Sequence, residues 1–139
     1  MTVELSAYAP EDVQTALVAW LTTVHHAAFA RNAGDPLPSI VVEHITGTES
    51  AQMGVADQLA SVHTFCDKAL GYPAARDNCA GTHKRMLLLA TTSQTITISG
   101  RQVGVDYVEV VESPHWEYYS DNILRKVGRY RIGLPYSTA

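Results

Sequence analysis

Apolar positions along the chain fall into two spacings. Val13, Leu17, Trp20, Leu21 and Val24 recur at helical intervals behind Pro10-Glu11-Asp12. Proline suits a first helical turn, whose N–H groups lack partners, and acids suit its positive dipole end. The spacing predicts a helix from Pro10-Glu11-Asp12 to about Ala30, ended by Asn32, Gly34, Asp35, Pro36 and Pro38. Ser39–Thr46 is short and β-branched and predicts a strand. Gly47–Val55 is polar with two glycines and reads as an exposed loop. Gln58–Cys66 reads as a second strand, paired with the first as an antiparallel hairpin.

A second helix opens at Gly71-Tyr72-Pro73 and ends at Thr91–Ser93. Ala75, Cys79, Met86 and Leu89 share one of its faces, with His83 and Ala90 at the margins and Arg76, Asp77, Lys84 and Arg85 elsewhere. Thr95–Ser99 fits a short strand closed by Gly100. Val103–Val111 fits another, ended by Glu112-Ser113-Pro114, and His115–Asn122 is an aromatic connection. In the last strand, Ile123–Leu134, Tyr130, Ile132 and Leu134 take one face and Arg125, Val127, Arg129 and Arg131 the other. The expected architecture is one α+β domain over residues 1–139, in the order α-β-β-α-β-β-β. Its sheet is mostly antiparallel, of four to five strands, with two helices packed on one face.

Of the 139 residues, 46% are apolar and 17% charged, which excludes disorder for the bulk of the chain and leaves neutral surface for contacts with other chains. No apolar run reaches the ~18 residues of a membrane span. The start, MTVELSAYAPEDV, has neither a basic nor an apolar leader region. Cys66 and Cys79 are then expected as free thiols in a reducing cytosol. A net charge of −4 argues against general nucleic-acid binding. Residues 1–67 hold one basic residue, Arg31, against eight acids, and residues 68–139 nine basic against six acidic. Such asymmetry favours copies docking acidic surface to basic surface, and it is also what an ordinary solvated surface gives.

Few constellations carry chemistry. His63, Cys66, Cys79 and His83 are zinc-ligand types. Residues three apart on a strand point to opposite faces, however, so His63 and Cys66 cannot share an ion. His25-His26 are adjacent, which places one at a margin and one exposed. His115 beside Glu117 could form an acid–base pair, with no nucleophile motif to serve it. No enzymatic activity, cofactor or metal is expected. Arg125, Lys126, Arg129 and Arg131 form a basic stripe, best read as pairing with acids of a neighbouring strand or subunit, with Glu109 and Glu43 as possible partners. The segment from Ser113 to Asn122 holds Trp116, Tyr118 and Tyr119, residue types enriched at interface anchors and equally able to cap the sheet's own core.

The run VEVVESPHWEYYSDNILRKVGRYRIGL resembles the C-terminal part of siphophage tail terminator proteins, those of actinobacteriophages in particular. These end with a strand, a Pro-x-Trp-x-x-Tyr turn and a strand close to R-x-V-x-x-Y-x-I, matched here by Pro114, Trp116, Tyr119, Arg125, Val127, Tyr130 and Ile132. SIVVEHITGTES followed by DQLASVHTFCDK is similar to the family's two strands, and A-x3-N-x6-R-M-L-L-L sits where its helix is expected. The likeness spans about residues 10–134 and is one of layout plus one aromatic turn. It departs at Asp57-Gln58, where the family often has an aspartate–proline pair.

The resemblance implies a structural virion protein. It would close into a homohexameric ring at the head-proximal end of the tail tube, end tube polymerisation and join the tail to the head–tail connector or stopper protein. Its partners would be its own copies, the tail tube protein and that connector. Double-stranded DNA would pass through the lumen without specific binding, with no membrane involved and assembly in the host cytoplasm. Under this reading Pro114, Trp116, Tyr119, Arg125, Arg129 and Arg131 are subunit-interface candidates. Gly47, Thr48, Glu49, Ser50, Gln52, Met53 and Gly54 are candidates for reaching the tube or lumen. The alternatives are another phage neck protein on the portal side, or a small host-interaction module outside the virion.

Overall fold

The computed structural model describes residues 9–10, 12–50, 52–91 and 95–137. In chain order the elements are β1 (Ala9–Pro10), α1 (Val13–Leu21), β2 (His26–Ala28), β3 (Ser39–Ser50) and β4 (Val55–Asp67). A 310 turn (Lys68–Leu70) follows, then α2 (Tyr72–Thr91), β5 (Thr95–Ile98), β6 (Arg101–Gly104), β7 (Tyr107–Trp116) and β8 (Ile123–Ser137). The fold is α+β, with two helices, one mixed sheet and a two-stranded hairpin, β5–β6. Across the sheet the order is β2-β3-β4-β8, with β7 pairing with β8 and β1 pairing with its last residues.

Both helices lie on one face of the sheet, as the alternation in β8 requires. Val13, Leu17 and Leu21 of α1 and Met86 and Leu89 of α2 bury against Ile40, Val42, Ala60 and Val62, and against Tyr130, Ile132 and Leu134. The β5–β6 hairpin adds Ile96, Ile98 and Val103 to the same core. Asp12 caps α1 by accepting from the Thr15 N–H (3.0 Å) and hydroxyl (2.8 Å). Trp20 joins the helices: its indole N–H donates to the Arg85 carbonyl (2.8 Å), and the Arg85 guanidinium lies 3.5 Å over its ring.

Four expectations need correction. The first helix stops at Leu21, not near Ala30, because the β-branched pair Thr22-Thr23 and Val24 follow, and His26–Ala28 instead pair with β3. Val103–Val111 is not one strand: Arg101–Gly104 is β6, paired with β5 off the main sheet, and Tyr107–Trp116 is β7, paired with β8, while the main sheet is mostly antiparallel with β2–β3 parallel. Gly47–Val55 is not a loop: Gly47–Ser50 and Val55–Gln58 pair residue for residue, leaving only a short turn that contains Gln52, Met53 and Gly54. Pro114 does not end a strand, since β7 runs through it to Trp116. Proline needs no ladder bond on an edge strand at a bulge, and the register of β7 against β8 shifts between Glu112 and His115. Of the helix end at Thr91–Ser93, residues 92–93 lie outside the described residues, as does Glu11 of the first helix start.

Candidate functional site

β8 presents its arginines on the face without helices, and β7 lies beside it with acids in register. Glu109 stands opposite Arg131 and Glu112 opposite Arg129. Ion pairs follow: Arg131 with Glu109 (3.7 Å) and Asp57 (3.4 Å), Arg129 with Glu112 (3.4 Å), and Arg125 with Glu117 (3.7 Å). His115 sits between Glu112 and Glu117, each 3.3 Å from a ring nitrogen. The basic stripe is thus paired within the chain. Lys126 leaves it for the opposite face, where its ammonium lies 4.9 Å over the Trp116 ring. Glu43, the other suggested partner, meets His63 instead (3.5 Å).

Glu43, Ser61 and His63 form a cluster that sequence reasoning passed over. The Ser61 hydroxyl is 3.0 Å from His63 Nε2, and the Glu43 carboxylate is 3.5 Å from both. A relay triad needs the nucleophile on one ring nitrogen and the carboxylate on the other. Here both meet Nε2, and among the described residues buried Nδ1 has no hydrogen-bond partner. Burial holds the His63 imidazole below its ordinary value, against the pull of Glu43. The signal was legible as an i, i+2 pair on β4 opposite an acid on β3.

The four zinc-ligand types separate. His63 faces away from the helices, and Cys66 and Cys79 meet beneath α2 with sulfurs 4.0 Å apart. His83 Nδ1 is bonded to the Tyr130 hydroxyl (2.6 Å). Among the described residues, no three His, Cys, Asp or Glu side chains are placed to hold a metal ion. His25 is half-buried with Nε2 3.1 Å from the Asn78 carbonyl, while His26 is exposed, though on β2 rather than a helix.

The aromatic segment divides between the two faces at one end of the sheet. Tyr119 covers buried Phe65 edge-on (4.8 Å), and Arg125 extends over Tyr119 (5.4 Å). Trp116 meets Tyr72 edge-on (5.5 Å). With Lys68, Tyr118, Asp121 and Leu124 these two line a groove of about 330 Å3. Trp116 is 41% and Tyr118 75% exposed, so this end presents aromatic surface to solvent.

No protein-family model matches the chain, and no curated protein matches it.

Among the described residues both long edges of the sheet are open. Among these residues, β3 beyond Val41 pairs only with β4, and β7 only with β8. Each edge strand carries an extra residue that opposes nothing. The β3 register passes from His44 to Thr46, leaving Ile45, and the β7 register from Val110 to Glu112, leaving Val111. Ile45 is 41% and Val111 48% exposed. Edge strands are usually guarded by charge or proline. β7 carries such guards in Glu109, Glu112 and Pro114, and the two bulges display branched aliphatic side chains. At the hairpin tip Met53 is 80% exposed. Among the described residues no helix is long and apolar enough to cross a membrane.

Proposed function

We propose that the chain is a structural virion protein, a tail terminator that closes into a hexameric ring on the head-proximal end of a siphophage tail tube. In that position it ends tube growth and hands the tail to the connector. The observation that carries the reading is the pair of open sheet edges on opposite sides of one chain, each with an exposed aliphatic bulge residue, Ile45 and Val111. A cyclic assembly needs two different surfaces on each copy, one to give and one to receive. The aromatic turn adds to this support: Trp116 and Tyr119 are half-exposed, amphipathic residues beside the β7 edge. Arg125, Arg129 and Arg131 enter such an interface already paired with Glu117, Glu112 and Glu109, so they contribute register more than net attraction. The β3–β4 hairpin, with Glu49 and Met53 near its tip, is the part assigned to the tube or lumen.

Electron microscopy of the purified chain mixed with its cognate tail tubes tests the proposal. A collar at one end of each tube, with tube growth arrested there, is expected. Bare tube ends that continue to grow would overturn it.

A further inference from the structure

Cys66 lies near the end of β4 on its helix-facing side, and Cys79 on the buried face of α2. Their sulfurs stand 4.0 Å apart, buried with Ala75 and Leu124, and both are free thiols. A disulfide bond is ~2 Å long, so about 2 Å of approach joins them. A second observation concerns access. Cys79 forms part of the wall of a cleft of about 230 Å3, together with Arg76, His83, Pro114 and Lys126. The cleft brings a small reagent to the wall that Cys79 shares, and its cations, Arg76 and Lys126, favour an anionic one.

We propose that Cys66 and Cys79 are a modification site, a dithiol that a small-molecule disulfide of the oxidised-glutathione class converts into an intrachain bond clipping α2 to β4. Cys79 passes its proton to Cys66, whose thiolate the bond between the sulfurs favours, and attacks the reagent; one small thiol leaves and a mixed disulfide forms. Cys66 then attacks the Cys79 sulfur, the second small thiol leaves, and the Cys66–Cys79 bond is made. The two cysteines are oxidised, the reagent is reduced, and the two protein thiol protons end on the two released thiols. The hydrogen bond between the sulfurs holds Cys66 below the usual thiol range and Cys79 above it, so the two act as one unit. In a reducing compartment the pair stays a dithiol; in an oxidising medium it closes. The inference stands whether or not the chain forms a ring.

The test is incubation of the full chain with oxidised glutathione at neutral pH, followed by peptide mapping without reduction. The expected product is a linked Cys66–Cys79 peptide, a chain lighter by two hydrogens, and no retained glutathione. Its Tm should rise by about 5–10 °C and fall back on reduction. Cys66→Ser should stop at glutathione held on Cys79. Retained glutathione on the native chain, chain-to-chain dimers, or two thiols still open to alkylation after unfolding would overturn the proposal. If Cys66→Ser does not fold, the map of the native chain decides alone.

Discussion

His63 shows how a single residue couples burial to pH. Burial holds its imidazole below the ordinary value of 6.5. The unfolded chain therefore takes up a proton on this ring at a higher pH than the folded chain does. Stability should be full above that value and decline as pH falls below it, levelling off once the folded ring is protonated too. His83, lowered by burial and by Lys126, acts in the same direction. Urea unfolding at about pH 7.5 and about pH 5.5 should show the decline, and His63→Gln should make it shallower. Gly133 is a second decisive residue. A Cβ there would overlap the Tyr107 ring, whose hydroxyl donates to Asp57 at 2.6 Å. Gly133→Ala should cost about 1–3 kcal/mol, measured by the same unfolding, as the ring is pushed out of that bond.

At the scale of elements, the periodicity carried the core well. Ala75, Cys79, Met86 and Leu89 are the buried face of α2, and Tyr130, Ile132 and Leu134 the buried face of β8. What it could not carry were features set by neighbours. β2 exists because β3 is there to pair with it, and nothing in His26–Ala28 alone announces a strand. Pro114 stays in a strand because that strand is an edge. The bulges at Ile45 and Val111 are properties of register, which one strand's sequence does not contain. The Cys66–Cys79 approach likewise depends on how α2 lies over β4. The two tryptophans separate packing from display. Trp20, 7% exposed and bonded to Arg85, should cost about 3–5 kcal/mol when cut to alanine. Trp116→Ala, which loses its edge contact with Tyr72 and the Lys126 ammonium over its ring, should cost about 1 kcal/mol. Thermal melts of both variants check this. A comparable loss for Trp116 would make it a core residue and remove it from the proposed interface.

For the molecule as a whole, the helices cover one sheet face, ion pairs lace the other, and two edges remain. Among the described residues neither long edge has a further partner strand, and the proposal assigns both edges to other copies. Val111→Lys and Ile45→Lys place a charge on each edge without disturbing the core. Each should leave the fold within about 0.5 kcal/mol of the native chain. Each should also abolish the collar on tail tubes, read by sedimentation of tube complexes. Retained collars in both variants would remove the edges from the account.

The proposal places the chain in a phage particle, and cryo-electron microscopy of such particles tests this central claim most directly. The account predicts a closed ring at the junction of capsid and tail, with the Ile45 edge of one subunit against the Val111 edge of the next. A junction built without this chain would contradict it.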